Sequence, residues 1–261
     1  MPETTPLDTS FTRMQAGGDP ERLQYYAALA DTQLYLLLER EAGGSDIEPR
    51  LLEVDGQNAV AAFDSPDRLA AFAQDTASYA VLPGRILAQL LAPQGLVLAI
   101  NLGAASEVIL PTHALGWLTD TLDSPDPESF KARIVAILPL ADMPDILLEA
   151  LGARLVASGG LAHEALLAAV EYEGGQTGHV LALIGAEARA ETALARAVAE
   201  ALAFSGLDTG YLDVVFLPPE APIIERMRKH GRRFEIPAPQ APDIAPLSPP
   251  GSDPAKPPRL R

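Results

Sequence analysis

A run rich in proline and acidic residues divides this chain of 261 residues into two segments. The run, Asp123 to Ser129, contains two prolines and three carboxylates in seven residues, a composition typical of the exposed boundary between domains. On each side of it, apolar runs of strand length alternate with stretches that repeat leucine and alanine at helical spacing. We therefore predict two mixed α/β (α+β) domains, over residues 19–122 and 131–236, joined by a linker at 123–130.

The second segment has the more regular order of elements. Strand patterns at 132–139, 165–173, 179–184 and 212–217 enclose helical patterns at 144–157 and 189–204, and a last helix and strand follow at 220–229 and 233–236. The order β-α-β-β-α-β is that of split βαβ units, so we predict a ferredoxin-like second domain. On the helix at 189–204 we expect Glu200 to lie with Arg196 on a solvated face.

The first segment has the sequence pattern of short strands and of helices whose first residues are clearly marked. Asp19-Pro20, Ser65-Pro66, Pro83 and Pro111 are typical beginnings of helices. Apolar runs at 33–39 and 95–100 predict buried strands, and Asp55-Gly56 predicts a hairpin between 51–54 and 59–63. We expect Leu23 and Tyr26 on the buried face of the first helix, and Ile86 and Leu90 on that of the third.

Both ends of the chain differ in composition from the segments between them. Residues 237–261 combine recurrent proline with small and polar residues, which favours a disordered or polyproline-like tail. A solubilising role is the plainer interpretation, and docking of the tail on an aromatic groove is the alternative. Residues 1–18 are polar and are predicted to be a flexible N-terminus.

The net charge of −16 limits the classes of partner. So acidic a chain is repelled by nucleic acid and by anionic membrane surfaces, and we expect it to bind neither. The absence of cysteine excludes disulfides and thiolate metal sites, and it fits a reducing compartment. The N-terminus lacks the pattern of a signal peptide, so we expect a cytoplasmic protein.

The usual signatures of catalysis are absent from the sequence. It has no nucleophile elbow, phosphate-binding loop, dinucleotide fingerprint or paired-histidine zinc motif. The four histidines, His113, His163, His179 and His230, are far apart and stand outside dense carboxylate clusters. We therefore expect no catalytic residues, no metal ligands and no cofactor, and a protein that is not an enzyme.

Two local features stand out as candidate binding sites. Five cations crowd eight residues near the C-terminus, which is more than a helix dipole needs, and favour an anion site or a contact with an acidic partner: Arg226, Arg228, Lys229, Arg232 and Arg233. Asn101 to Gly103 forms a polar turn after a buried strand, where α/β proteins often place ligands. We place this turn in a cleft between the two domains. The one tryptophan, Trp117, is expected at the edge of the core, or alternatively as an interface anchor.

Three stretches resemble the SseB family, bacterial proteins named for enhanced serine sensitivity on overproduction. They are Tyr25 to Leu38, Val60 to Phe72 and Gly95 to Gly103. The chain has Asp64 where members often carry threonine and Leu102 where they often carry proline. The second segment is similar to the family's C-terminal domain, including the run Leu212 to Leu217, so the resemblance covers about residues 20–236. It implies a cytoplasmic two-domain protein without established catalytic residues.

Two functions follow from these features. The leading hypothesis is a non-enzymatic regulatory or adaptor protein with a protein partner, linked to serine sensitivity or amino-acid metabolism. The alternative is a small-molecule sensor or enzyme that uses the turn at Asn101–Gly103.

Overall fold

The protein is described by a computed structural model that covers residues 4–41, 47–54, 56–74, 76–123, 133–140, 143–207 and 212–238. Within these ranges it is an α+β fold of eight α-helices and two mixed sheets. The helices are α1 (Pro6–Ala16), α2 (Asp19–Asp31), α3 (Pro66–Ala73), α4 (Gly84–Leu91), α5 (Thr112–Leu122), α6 (Asp145–Ala157), α7 (Glu191–Ser205) and α8 (Ile223–His230). The strands are β1 (Gln33–Leu37), β2 (Leu51–Val54), β3 (Gln57–Phe63), β4 (Tyr79–Pro83), β5 (Val97–Ile100), β6 (Val108–Leu110), β7 (Ile134–Leu138), β8 (Glu164–Tyr172), β9 (Thr177–Ile184), β10 (Asp213–Leu217) and β11 (Arg232–Glu235).

The first sheet has the order β4-β1-β3-β5-β6, with β2 also paired to β3. Only β3 and β5 are parallel to each other, so their carboxyl ends meet at one edge of the sheet. Residues of β1, β3 and β5 that alternate along the strands point to one face, where α2, α4 and α5 cover them. The shorter α3 covers part of the other face.

The second sheet has the order β10-β9-β8, and β7 and β11 both pair with β8. The long strand β8 accommodates both because β11 pairs with residues 164–167 and β7 with residues 169–172. Helices α6 and α7 cover one face, and α8 covers the other. The predicted order β-α-β-β-α-β is present, but the ferredoxin-like arrangement is not confirmed. A split βαβ unit has another strand between its first two strands, whereas β7 pairs directly with β8.

Several sequence-based expectations need correction. Residues 6–16, predicted to be flexible, form α1, which begins with a capping box at Thr5 and buries Leu7. Strands β4 and β6 were not predicted. Helix α2 buries Tyr25 rather than Leu23 and Tyr26. The face of the helix that packs against the core is therefore rotated from the face predicted from the sequence. The predicted linker from residue 124 onward and the tail from residue 239 onward lie outside the described residues.

Helix α4 buries a narrower stripe than its sequence suggests. Ile86 and Leu90 are partly exposed, at 36% and 42%, whereas Leu87 and Leu91 are buried. Residues 86–106 contain no charged side chain, but they are divided between α4, a turn, β5 and the loop that follows it. Among the described residues, no helix has the length and apolar character needed to cross a membrane.

The two segments share an interface built by α7. Phe204 is a residue of the second segment, yet it is buried in the core of the first. Its ring lies 5.9 Å from that of Trp117, which in turn lies 5.7 Å from the ring of Tyr26. Trp117 is 38% exposed, so it lies at the edge of the core, as predicted, and joins the two segments.

Charged side chains reinforce this interface. Asp31 of α2 contacts both Arg85 and Arg154 at 2.5 Å, and Glu200 of α7 lies 3.3 Å from the same two arginines. Glu200 is only 7% exposed, so the predicted solvated face is wrong at this residue. Its carboxylate is buried because α7 packs against α2 and α6, and the arginines of α4 and α6 compensate its charge.

Candidate functional site

Asn101 lies at the carboxyl end of β5 and is completely buried. Its φ of 52° is in the left-handed region, which asparagine tolerates better than most residues. Its Oδ1 accepts the backbone N–H of Asp64 at 3.0 Å, and its Nδ2 donates to Ser106 Oγ at 3.3 Å. Asn101 therefore ties the end of β5 to the end of the parallel strand β3.

Asp64 and Arg68 form the centre of a polar network at this edge of the sheet. Arg68 Nη1 donates to both carboxylate oxygens of Asp64, at 2.7 and 2.8 Å. The side chain of Asp64 is 1% exposed and that of Arg68 is 13% exposed. Helix α3, which Ser65 caps, sets the one-turn spacing between the two residues. Such a largely buried, bidentate pair is much stronger than an exposed one.

The first turn of α1 completes this network. Thr5 Oγ1 donates to Asp64 Oδ2 at 2.6 Å, and Arg68 Nη2 donates to Asp8 Oδ2 at 2.6 Å. Within α1 itself, the Thr5 side chain accepts the backbone N–H of Asp8, and the Asp8 carboxylate accepts that of Thr5. The same two side chains thus cap their own helix and fasten it to Asp64 and Arg68.

The charges in this network shift the pKa values of their neighbours. Burial alone would raise the pKa of the Asp8 carboxyl, but hydrogen bonds from Arg68, Ser106 and the Thr5 backbone lower it far below its usual range. Tyr25 is 0% exposed, and no group among the described residues forms a hydrogen bond with its hydroxyl. Burial, together with the negative charges of Asp64 and Asp8, raises the pKa of Tyr25. Asp8 is therefore ionised and Tyr25 protonated at neutral pH.

The turn at Asn101–Gly103 does not lie in a cleft between the two segments, so the predicted position of that cleft is wrong. The contacts of Asn101, and the bond from Gly103 N–H to Glu107 at 2.7 Å, all lie within the first segment. The groove between the segments runs instead beside α2 and α6, with a volume of about 340 Å³. Alanines of both helices form its apolar floor, and Arg154 lies along it.

The five predicted cations divide into two groups. The carboxylate of Glu164 is 7% exposed. It forms an ion pair with Arg233 at 2.7 Å and accepts a hydrogen bond from Arg228. Arg228 additionally contacts Glu225 at 2.8 Å. These two arginines are therefore committed to contacts within the chain.

The other three cations form the basic patch, defined as Arg226, Lys229 and Arg232. All three are exposed, and among the described residues none has a carboxylate partner. Arg226 and Lys229 are three residues apart on α8 and are therefore neighbours on its surface. Arg232 begins β11 and lies 5.7 Å from the ring centre of Phe234. The helix dipole accounts for Lys229 in the last turn of α8, but Arg226 and Arg232 lie outside that turn.

Comparison with known families assigns the first segment. Residues 8–117 match the SseB protein N-terminal domain. The match runs from α1 into α5, and it includes Asp8, Asp64, Arg68 and Asn101. The resemblance seen in the sequence is thereby confirmed for this part of the chain, while the predicted likeness of the second segment stays a prediction. Comparisons with curated protein sequences and with solved structures found no match.

The sequence alone pointed to one residue of this polar network, Asn101, and not to most of the others. Asn101 was predicted, but Asp8, Arg68 and the Tyr25 hydroxyl were not. Two local signals were present: the Thr5-x-x-Asp8 capping box and the Asp64/Arg68 pair at helical spacing. Nothing local indicates that the two signals meet, because they are 59 and 60 residues apart in the chain. Among the described residues, no group of histidines and carboxylates is arranged to hold a metal ion.

Proposed function

We propose that this protein is a cytoplasmic, non-enzymatic regulatory or adaptor protein of the SseB family, and that it binds an acidic protein partner through the basic patch. One observation supports the proposal: Glu164 forms ion pairs with Arg228 and Arg233, whereas Arg226, Lys229 and Arg232 are exposed and have no carboxylate partner within the part of the chain that the structure describes. The chain has 35 acidic and 19 basic residues, so cations exposed in this way fit a surface that binds another molecule.

The chemistry of the patch favours an acidic protein as its ligand. Exposed arginine and lysine side chains attract carboxylates over several ångströms and set the orientation of a charged partner. The rest of the surface carries the opposite charge and repels the same partner. An acidic protein would therefore dock in one orientation, whereas a nucleic acid, with its longer run of charge, would meet repulsion over most of its length.

The link to serine sensitivity rests on the match over residues 8–117. We assign the second segment, which carries the basic patch, as the family's C-terminal domain. In this account the first segment supports the fold of the whole through Trp117 and Phe204, and the second segment presents the docking surface. Overproduction of the protein is then expected to alter growth on serine.

Co-purification from the native host tests the proposal. The tag belongs at the C-terminus, because Thr5 packs into the polar network and an N-terminal tag would disturb it. Wild type is compared with the triple variant Arg226→Ala, Lys229→Ala, Arg232→Ala. The matched control is Arg22→Ala, Arg40→Ala, Arg189→Ala, which removes three exposed cations elsewhere.

We expect a stoichiometric acidic protein with the wild type and the control, and its loss from the patch variant. Overproduction of the patch variant should also fail to change growth on serine. A partner that stays with the patch variant, or a wild-type protein that purifies alone, would contradict the proposal.

A further inference from the structure

The first turn of α1 presents two ligand-like groups to the rest of the domain. The Thr5 hydroxyl donates a hydrogen bond to Asp64, and the Asp8 carboxylate accepts one from Arg68. In the capping box the Asp8 carboxylate accepts the Thr5 backbone N–H at 2.9 Å, and the Thr5 hydroxyl accepts the backbone N–H of Asp8 at 3.1 Å. One helix turn therefore presents a donor and a carboxylate together, as a small amino acid also does.

The receiving groups are held in place without help from α1. Asp64 is bound by Arg68 of α3, and its backbone N–H by Asn101 at the end of β5. Asn101 is in turn bound to Ser106. The pair Asp64–Arg68 would therefore keep its geometry if the first turn of α1 moved away. It would then offer Asp64 Oδ2, which keeps only its bond from Arg68 Nη1, and the released Nη2 of Arg68.

Tyr25 supplies an independent indication of a ligand. Its side chain is 0% exposed, and its hydroxyl has no hydrogen-bond partner in the ranges that the structure describes, although burial of an unpaired hydroxyl is unfavourable. Tyr25 lies in the same core cluster as Leu7 of α1, and the negative charges of Asp64 and Asp8 contribute to the raised pKa of its hydroxyl. A polar group that entered in place of α1 would give the hydroxyl the partner that it lacks.

Helix α1 is anchored to the core by three apolar side chains. Leu7 is fully buried, Phe11 and Met14 are only partly buried, and most of the other residues of the helix are exposed. Gly17 and Gly18 follow it directly, and glycine allows the chain to turn in many directions. An element with so little buried surface opens more readily than the sheet beneath it.

We propose that α1 is a strap over a binding site for a free α-amino acid. The ligand's carboxylate takes the place of Asp8 on Arg68, and its ammonium group takes the place of Thr5 on Asp64. Binding displaces the first turn of α1. This site is separate from the basic patch, so the inference goes beyond the proposed function and does not depend on it.

Calorimetric titration with simple probes tests this assignment. Glycine carries both charged groups, acetate only the carboxylate and methylammonium only the cation, while N-acetylglycine mimics the end of a peptide. The variants are Thr5→Ala/Asp8→Ala, which removes the strap's contacts, and Arg68→Gln, which removes the carboxylate's partner. Arg22→Gln is the control, since Arg22 is exposed and lies outside the network.

We expect glycine to bind more tightly than acetate or methylammonium. It should bind the strap variant about tenfold or more tightly than the wild type, the size of one charge-assisted hydrogen bond. Arg68→Gln should abolish binding, while Arg22→Gln and the basic-patch variant should bind as the wild type does. The proposal is overturned if the folded strap variant binds no glycine or if Arg68→Gln binds it unchanged. Stronger binding of N-acetylglycine than of glycine would overturn the assignment to a free amino acid.

Limited proteolysis of the wild type tests the same site without a variant. Cleavage by trypsin at Arg13, in the last turn of α1, requires local unfolding of the helix, which displacement of the first turn should favour. Glycine should therefore speed this cleavage at least severalfold, whereas acetate and methylammonium alone should have a smaller effect. Equal cleavage rates with and without saturating glycine would contradict displacement of the strap.

Discussion

Glu164 Oε2 lies 2.7 Å from Arg233 Nε, at the edge of a cluster of five cations. The same carboxylate accepts a bond from Arg228 and is 7% exposed. One buried acidic residue thus neutralises part of the cluster and leaves the basic patch in solvent. The charge of this surface, and hence its attraction for an acidic partner, depends on that single carboxylate.

Replacing Glu164 should strengthen the docking surface. Glu164→Gln removes one negative charge and frees Arg233, while Arg228 keeps its contact with Glu225. We therefore expect the acidic partner to bind about two- to fivefold more tightly, as for one added surface charge pair. The affinity should also fall more steeply with salt. Titration at several ionic strengths measures both effects. Glu187→Gln is the control, because it removes an exposed carboxylate elsewhere, and equal affinities of the two variants would contradict the assigned surface.

Truncating Phe204 should destabilise the entire chain. This ring belongs to α7 but is buried in the core of the first segment beside Trp117. Phe204→Ala should lower the free energy of unfolding by about 3–5 kcal/mol, as is usual for a buried aromatic side chain. Urea denaturation followed by the fluorescence of Trp117 measures the change. Val156→Ala, at a residue 57% exposed, should change it by less than about 0.5 kcal/mol.

Substitution of Asn101 should lower the free energy of unfolding through two separable effects. Asn101→Ala loses the bonds to Asp64 and Ser106 and forces alanine into a left-handed conformation. We expect it to lower the unfolding free energy by about 2–4 kcal/mol. Asn101→Gly loses the same bonds but tolerates the backbone, so it should be the more stable by about 1 kcal/mol. Equal unfolding free energies would show that the backbone contributes nothing.

The depressed pKa of Asp8 predicts a dependence of stability on acid. The usual pKa of such a carboxyl is 3.8 and the folded-state pKa is lower, so the unfolded chain takes up its proton first as the pH falls. The stabilisation from Asp8 is therefore complete above about pH 5 and diminishes as the pH falls below 4 toward the folded-state pKa. The groups that face Asp8 are Arg68, Ser106, Thr5, Asp64 and Tyr25.

Comparing wild type with Asp8→Asn isolates this effect, because other carboxyls titrate in both. The difference in unfolding free energy between the two should shrink as the pH is lowered from 5 to 2. Asp19→Asn, at an exposed residue outside the network, is the control variant. A difference that stays constant with pH would mean that Asp8 is not held by Arg68.

Elements with strong local signals could be predicted from the sequence. Ser65-Pro66 begins α3 and Asp55-Gly56 separates β2 from β3, because capping and turn preferences act within a few residues. Strands β4 and β6 were missed because they are short, and β4 forms only through pairing with the distant β1. Helix α1 was missed because its sequence is polar and tertiary contacts of Leu7 and Asp8 hold it.

The candidate sites also depend on contacts between distant residues, which local sequence does not indicate. The position of the five cations was evident from the sequence, but their division into two groups depends on Glu164, which is 64 residues from Arg228. The burial of Glu200 depends on Arg85, 115 residues away. Charged residues that are compensated by distant partners look, along the chain, like ordinary surface residues.

The central claim is that the basic patch binds an acidic protein. The most direct test is to measure how much of that partner is captured when the positive charge of the patch is removed and when it is increased. Wild type, the triple alanine variant of the basic patch, Glu164→Gln and the control triple variant are tagged at the C-terminus, expressed at native level and purified in parallel. The account predicts that the amount of one acidic protein falls to background with the patch variant, rises with Glu164→Gln and stays unchanged with the control. Capture that is the same with the patch variant and the control would contradict it.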